Sequence, residues 1–505
     1  MSTTTIRRLL IANRGENSRR IMRTAHRMGM ATVAVYSDAD AQALHVQEAG
    51  SAVALGGTLS ADSYLRIDKL LAAAKVAGAD AVHPGYGFLS ESPEFAQAVL
   101  DAGLTWVGPP PAAIRALGNK ASAKNLALQQ NVPCLSGYQG PDQSDKCLTA
   151  EADKLGYPLM VKAAAGGGGR GMRLVLAPSL LQAALHSARS EALSSFGSDE
   201  LLLERALLRP RHVEVQVFAD AHGRCIHLGE RDCSVQRRHQ KLIEESPSPA
   251  VDPVLRERMG ACAVALAQAA GYVGAGTVEF LLDENGDFFL MEMNTRLQVE
   301  HPVTEAVTGL DLVEWQLRMA QGEALPLGQD DVVFRGHAIE VRLCAEDDDF
   351  SPHAGRVQHF VEPAHARFDH ALQAGGEVTP FYDSMLGKLI VHGATRAEAM
   401  DGLVAALAGT QVLGLPTNRA FLAACLAHPV FRAGQALIPF LAEHGDEIRQ
   451  TLRDQQTQVL LPAALALIFQ GSAGAAQALP CPFGKALRVL HGEQVLAITV
   501  TETGA

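Results

Sequence analysis

The chain has 505 residues, which at roughly 150 residues per domain makes about three domains and leaves no difficulty in burying a core. Its 43 Lys+Arg against 55 Asp+Glu give a net charge of −12, which excludes a general nucleic-acid or acidic-membrane binder and obliges any anionic ligand to find a local basic pocket. Hydrophobic residues at 48% and charged residues at 19% are those of an ordinary soluble globular protein. The eight cysteines form no C-x-x-C pair, so neither a zinc site nor a disulfide scaffold is indicated, and a reducing, cytoplasmic compartment is expected. The longest apolar run, Val459 to Phe469, falls well short of the ~20 residues that span a bilayer. Residues 1–5 lead too soon into a strand-like segment for a signal peptide.

In chain order, an apolar stretch at 6–12 is followed by Asn13-Arg14-Gly15-Glu16, a helical stretch to Met28 and a β-branched run over 31–36. Short apolar segments at 51–55, 79–82 and 104–107 alternate with helical patterns at 63–76 and 93–102, the rhythm of a parallel α/β domain over residues 1–116. The hairpin-rich middle, 117–330, reads as α+β, with a lid at about 134–206. A third composition, 331–446, holds strand-like 336–343 and 385–391 and a helical 396–408. The tail, 447–505, starts polar, has an apolar helical candidate at 462–469, and ends after a strand-like 494–500.

The first motif with chemistry is Lys162 followed by Gly166-Gly167-Gly168-Gly169-Arg170-Gly171-Met172-Arg173. Successive glycines let backbone N–H groups approach anionic oxygens, and Lys162, Arg170 and Arg173 add positive charge, which reads as a phosphate-covering flap. It is neither a Walker A loop nor a Rossmann fingerprint. The alternative is a flexible glycine linker.

The second motif is a hairpin, residues 276–282 and 287–294, around Asn285-Gly286. If those two residues form the preferred two-residue turn, Glu279 lies directly opposite Glu292 and Thr277 opposite Asn294. Val278, Phe280 and Leu282 with Phe289, Met291 and Met293 then make the apolar face. Two opposed carboxylates repel and need a cation, for which Mg²⁺ held with nucleotide phosphates is suited. The alternative is an exposed glutamate pair on a solvated face.

Arg296, Gln298 and Glu300 follow at alternate positions. If extended, they face one side and could hold a planar anion beside a general base; ordinary loop hydrogen bonding is the alternative. Arg237-Arg238-His239-Gln240-Lys241, preceded by Gln236, supplies the required local basic pocket, against the alternative of a solvated basic face. His212 and His239 are candidates that could equally be ordinary hydrogen-bonded histidines, with His239 favoured by its basic company. Cys233 is expected to be structural. From the residues alone, these features describe an Mg²⁺-nucleotide enzyme.

Ile11-Ala-Asn-Arg-Gly-Glu16, His83-Pro-Gly-Tyr-Gly-Phe-Leu-Ser-Glu91, the glycine loop, Glu230–Lys241, Glu292–Glu305 and Tyr382-Asp-Ser-Met-Leu-Gly-Lys388 together resemble the biotin carboxylase component of biotin-dependent carboxylases, an ATP-grasp family. The resemblance covers about residues 5–446. It implies a Rossmann-like N-terminal domain, an ATP-grasp central domain with a glycine-loop lid, and a C-terminal biotin carboxylase domain. Segments 137–148 and 312–317 further resemble the α subunits of 3-methylcrotonyl-CoA and geranyl-CoA carboxylases.

The resemblance implies that ATP and bicarbonate give carboxyphosphate and ADP, and that activated CO₂ passes to biotin on a separate carrier domain. Lys120, Lys162 and Gly166–Gly169 would hold phosphates. Glu204 would contact the adenine end, with His212, Gln236 and His239 also at the nucleotide. Glu279, Glu292 and Asn294 would serve Mg²⁺ or Mn²⁺. Lys241, Arg296, Gln298 and the Val299 backbone would bind bicarbonate, Glu300 would activate it, and Arg342 would stabilise the biotin enolate. Implied partners are a biotinylated carrier, a carboxyltransferase β subunit and a second copy of the chain, or a larger complex.

The sequence departs from the family at Asn17-Ser18-Arg19, at Asn119 and at Arg205, none of them a proposed catalytic position. It contains no Met-Lys-Met, so no covalent biotin is expected, and the tail resembles the start of a carboxyltransferase-docking domain, as in a truncated α subunit. The rival readings are an acetyl- or propionyl-CoA carboxylase α subunit, a carbamoyl-phosphate synthetase half, and a catalytically silent assembly subunit.

Overall fold

The computed structural model describes residues 5–164, 171–470, 483–491 and 494–501. They fall into two compact units, Met1–Gly445 and Asp446–Ala505.

The first unit begins with five parallel strands in the order Ser51–Ala54, Ala31–Tyr36, Arg8–Ile11, Ala81–His83 and Thr105–Trp106. Leu9, Leu10 and Ile11 of the central strand are fully buried, as a parallel sheet covered on both faces requires. Helix Gly15–Arg27 leaves the C-terminal end of that strand, the end at which open α/β sheets present ligands. Asn17 and Ser18, which depart from the family pattern, are buried there. The helical pattern expected from Ser63 starts at Ile67, because residues 60–65 form a tight turn in which the Ser63 and Leu65 N–H groups both donate to the Ser60 carbonyl.

Next comes a four-stranded antiparallel sheet in the order Gly137–Tyr138, Leu201–Arg205, Leu159–Ala163 and Met172–Val175. Its own core of Leu159, Val161, Leu203, Leu181 and Leu185 is closed by helix Leu181–Phe196.

The site rests on an eight-stranded antiparallel sheet. Its order is Phe288–Asn294, Gly274–Leu282, Arg211–Ala219, Cys225–Arg237, Gln240–Ser246, His337–Cys344, Met385–Gly393 and Arg367–His370. Gln240–Ser246 and His337–Cys344 pair directly, through Ile243↔Val341, Glu244↔Glu340, Glu245↔Ile339 and Ser246↔Ala338. One ladder therefore runs across residue 330, and segments far apart in sequence share a single surface.

The hairpin corrects the expected turn. Asp283 N–H donates to the Asp287 carbonyl, so three residues, Glu284-Asn285-Gly286, make the loop, with Gly286 at φ 82°. This is the three-residue hairpin loop whose last position is left-handed and suits glycine. Near the loop the pairs are Leu282↔Phe288, Leu281↔Phe289 and Phe280↔Leu290; a bulge then restores Glu279↔Glu292, Val278↔Met293 and Thr277↔Asn294. The expected carboxylate pair exists, but the route to it was incomplete. Phe288 and Leu290, not Phe289 and Met291, join Val278, Phe280, Leu282 and Met293 in the core, and the bulge turns Met291 toward the cavity described below.

The second unit contains the continuation of helix Phe440–Gln470, with Pro462 inside it, and the hairpin Lys485–His491 with Gln494–Val500. The polar 449–458 stretch is helical, the 462–469 segment belongs to the same helix, and the first hairpin strand was not foreseen. Among the described residues no helix is long and apolar enough to cross a membrane.

Candidate active site

Strand alternation and register together draw a row of charge across the sheet. Glu292 faces Glu279, Glu279 faces Glu214 on the next strand, and Glu214 faces Arg231 on the one after. Three adjacent carboxylates in mostly buried positions would be untenable without cations. The fully buried Arg231 donates to Glu214 at 2.5 Å, and Lys120 pairs with Glu292 at 2.8 Å. Lys241 closes over the row, reaching Glu214 at 2.5 Å, Glu279 at 2.9 Å and Glu300 at 2.6 Å.

These contacts set the direction in which Glu279, Glu300 and Lys241 are shifted. Burial alone pushes the Glu279 carboxyl up, but Lys241 and His212 outweigh it and hold the group well below the usual carboxylate range. Glu300 is likewise pushed up by burial and held well below that range by Lys241, Arg342 and Arg231. Burial opposes the charge on Lys241, yet its three carboxylate partners hold its pKa well above the ordinary lysine value.

Residues 295–298 are irregular, with a bend at Arg296, and 299–300 form a turn, so the run is not the extended one expected, and Glu300 sits at the N-cap of helix His301–Thr308. The segment still brings the three side chains to one place. Arg296 donates to Gln298 Oε1 at 2.5 Å and to Asn294 Oδ1 at 3.1 Å, and Gln298 Nε2 donates to Glu279 Oε1 at 3.0 Å. Asn294 Nδ2 donates to the same oxygen at 2.8 Å. Arg342 donates to Glu244 at 2.6 Å and to Glu300 at 3.0 Å.

A cavity of about 370 Å³ opens above this surface and is lined by Lys120, Lys162, His212, Gln236, His239, Lys241, Glu279, Glu292, Asn294, Arg296, Gln298, Val299 and Arg342. Two expected site residues lie behind its wall. Glu300 is fully buried and touches the site through Lys241 and Arg342. Both oxygens of Glu204 are taken up, by Lys124 at 2.8 Å and by Lys162; burial pushes that carboxyl up, and the two lysines bring it below its ordinary value. His212 Nε2 lies 3.1 Å from Glu279 Oε2, without the alignment of a hydrogen bond. His239 is held below the usual histidine value, by burial first and then by His212 and Lys162.

Other expectations need correction. Arg173 does not line the cavity as Met172 does; strand alternation turns it toward Ser187 Oγ at 3.0 Å and Glu191 at 2.9 Å. Of the basic run, Arg237, His239 and Lys241 line the cavity and Arg238 does not. Gly166, Gly167, Gly168, Gly169 and Arg170 lie outside the described residues. Cys233 is fully buried, and burial pushes its thiol well up, as a structural role requires.

Sequence reasoning gave no role to Glu214, Arg231, Lys124, Glu244, Glu340 or Lys388. A signal existed for Glu214, since His212, Glu214 and Gln216 alternate with valines. The others depend on partners remote in sequence.

A second cavity, of about 620 Å³, shares Arg296, Val299, Arg342, Asp383 and Met385 with the first. The rest of its lining includes Arg14, Tyr86, Phe88 and Tyr382. Two compartments thus meet at Arg296 and Arg342.

The family described as "Biotin carboxylase, N-terminal domain" matches residues 5–114, "Carbamoyl-phosphate synthase L chain, ATP binding domain" matches 119–327, and "Biotin carboxylase C-terminal domain" matches 340–443. The biotin carboxylase of Nostoc sp. is 49% identical over 440 residues, covering 86% of this chain and 98% of that protein. The chain belongs to the biotin carboxylase family. Its ATP-grasp fold is shared with the biotin carboxylase domain dimer of Hydrogenobacter thermophilus 2-oxoglutarate carboxylase, solved with MgADP, ADP and bicarbonate. That match has a TM-score of 0.86 at 40% identity and covers 88% of this chain and 99% of that one. The rat mitochondrial methylcrotonoyl-CoA carboxylase subunit alpha is 47% identical over 470 residues, and the chain spans 92% of its own length but 66% of that subunit's.

Proposed function

We propose that this chain catalyses the ATP- and bicarbonate-dependent carboxylation of biotin on a carrier domain, as part of an acyl-CoA carboxylase α subunit acting toward 3-methylcrotonyl-CoA or geranyl-CoA. The observation that carries the reading is the convergence of Arg296, Gln298 and Lys241 around Glu279, the middle of the carboxylate row, with Glu300 held between Lys241 and Arg342.

Lys120 and Lys162, with Gly166–Gly169, bind the ATP phosphates, and His212, Gln236 and His239 line the same nucleotide cavity. Glu204 acts on the nucleotide through the two lysines it holds. The oxygen-only set of Glu279, Glu292 and Asn294, with its two carboxylates directly opposed across the hairpin, suits Mg²⁺ or Mn²⁺. Such a metal, when bound, neutralises phosphate charge. Arg296, Gln298, Lys241 and the Val299 backbone orient bicarbonate, and Glu300, ionised and next to Lys241, accepts its proton. Arg342 faces the second cavity, where it stabilises the biotin enolate by preorganised charge, an effect worth several kcal/mol in such sites.

The meeting of two cavities supports separate entry of nucleotide and carrier. We further propose divisions at 1–116, 117–330 with a lid at 134–206, 331–446 and 447–505, with the last segment docking a carboxyltransferase β subunit. Homodimerisation and a cytoplasmic location belong to the same proposal; the rat relative's name places that protein in mitochondria.

The test is bicarbonate-dependent ATP hydrolysis with free biotin as acceptor. ADP release that requires bicarbonate, with carboxybiotin formed, is the expected result. A folded sample inert in both assays would instead support the silent assembly subunit.

A further inference from the structure

Beside the catalytic row, a second pair of carboxylates crosses the sheet. Glu244 and Glu340 stand directly opposite each other on adjacent strands, and both are fully buried. Opposed residues of a sheet have Cβ atoms about 5 Å apart, so two ionised carboxylates would meet here with nothing to separate them. Glu244 Oε1 accepts from Arg342 Nε at 2.6 Å. Its Oε2 and both oxygens of Glu340 accept from no donor among the described residues.

The charged groups facing the pair are few. Arg342 lies two residues along from Glu340. Lys388, opposite Arg342 on the next strand, directs its ammonium to the Val299 carbonyl. Helix His301–Thr308, packed over these strands, brings Glu300 at its cap and His301, which burial and then Lys388 keep neutral. Lys241 serves Glu300 from the far side. On the opposite face of the sheet Glu245 is occupied by His337 at 2.7 Å and Arg396 at 2.6 Å. No donor is therefore left for three carboxylate oxygens, and a buried acceptor without one is unfavourable unless a proton supplies the bond.

We propose that Glu340 and Glu244 hold one proton between them, with the Glu340 O–H donating to Glu244, and that Glu340 is thereby a positioning residue for Arg342. With Glu340 neutral, Glu244 remains the sole anion on Arg342 Nε, and the other edge of the guanidinium is kept for Glu300. An ionised Glu340 would compete for Arg342 and draw it from the junction of the two cavities. Burial pushes the Glu340 carboxyl well above its ordinary value and Glu244 up to about 7, so the pair keeps at least one proton at neutral pH. The positioning role rests on the proposed role of Arg342; the shared proton does not.

The experiment pairs infrared spectra in H₂O and D₂O with activity. The wild type at neutral pH is expected to show the carbonyl stretch of a buried neutral carboxylic acid, absent in Glu340→Gln. The amide of Glu340→Gln keeps the donor, so both bicarbonate-dependent ATP hydrolysis and carboxylation of free biotin are retained, and carboxylation loses the alkaline decline that deprotonation of the pair causes in the wild type. Glu340→Leu removes the donor, and carboxylation falls roughly tenfold or more while ATP hydrolysis is largely kept. An infrared band unchanged by Glu340→Gln overturns the shared proton whatever the activities. Glu340→Gln as impaired as Glu340→Leu shows Glu340 acting as an anion and overturns it too. With the band confirmed, equal loss of both reactions in Glu340→Leu removes the positioning role. A wild type with the band but without bicarbonate-dependent hydrolysis counts against the enzymatic reading alone.

Discussion

Replacing Glu279 by Gln separates a carboxylate that binds a cation from one that merely holds the sheet together. The amide keeps the shape, and its oxygen can still accept from Lys241, Asn294 and Gln298, now at 2.9, 2.8 and 3.0 Å. What it loses is charge. A hydrogen bond to a charged group contributes about 1.5–3 kcal/mol and a neutral one about 0.5–1.5, so the three bonds together weaken by about 3 kcal/mol. Against this, repulsion from Glu214 and Glu292 disappears, about 0.2–1 kcal/mol for each opposed pair. The net cost of about 1–2 kcal/mol lowers Tm by no more than a few degrees in a unit of this size. On the proposed ligand set a metal would lose one of its two carboxylates, for which a tenfold or greater rise in the Mg²⁺ needed for half-maximal turnover is expected, by comparison with the 10–100-fold effects of weaker changes around metal ligands. The assay is bicarbonate-dependent ATP hydrolysis at fixed ATP across an Mg²⁺ titration, with thermal unfolding in parallel. Turnover and Mg²⁺ dependence identical to the wild type would refute the inference from opposed carboxylates to a cation.

Arg342→Ala is expected to spare bicarbonate-dependent ATP cleavage more than biotin carboxylation, and equal losses would remove its assigned enolate role. Lys124→Met leaves Glu204 to Lys162 alone and holds that ammonium back from phosphate, so KM for ATP rises with kcat little changed; a lower Tm with unaltered KM would make Lys124 structural only. Asp311→Asn tests a depressed carboxyl. Burial opposes ionisation of Asp311, but Arg20 at 2.9 Å, the Glu314 N–H and Thr24 bring its pKa down to about 2 from 3.8. The folded-state value lies below the unfolded one, so the stabilisation of about 2 kcal/mol is present above about pH 4 and lost as pH falls toward 2. The asparagine keeps the helix cap. Its stability deficit relative to the wild type should therefore shrink across that window, and a deficit independent of pH would contradict the assignment.

Much of the site was legible because its chemistry is local. Lys162 precedes the glycines, Arg296, Gln298 and Glu300 follow one another within five residues, and strand alternation puts Glu279 and Asn294 on one face. The hairpin shows the limit of such reasoning. Asn285-Gly286 indicated a turn but not its length, and a bulge invisible in the alternation restored the register that a different loop had shifted. Arg173 was misjudged because charge near a loop says nothing of which face of the strand carries it. Arg231, Glu244, Glu340 and Lys388 gain meaning only from neighbours across strands, and no spacing within the chain specifies which strands become neighbours.

The ladder between Gln240–Ser246 and His337–Cys344 has a mechanical consequence. Arg342 and Lys241 stand on adjoining strands of one sheet, so their separation is set by backbone hydrogen bonds and cannot be tuned by a hinge between them. On the proposed roles, the part that meets the acceptor and the part that meets the nucleotide form one rigid bench. On the proposed division, any opening and closing needed for ATP to enter would fall to the separate four-stranded sheet that carries Lys162 and Glu204. Substitutions along the ladder should therefore alter chemistry, and substitutions where that smaller sheet joins the bench should alter entry and release.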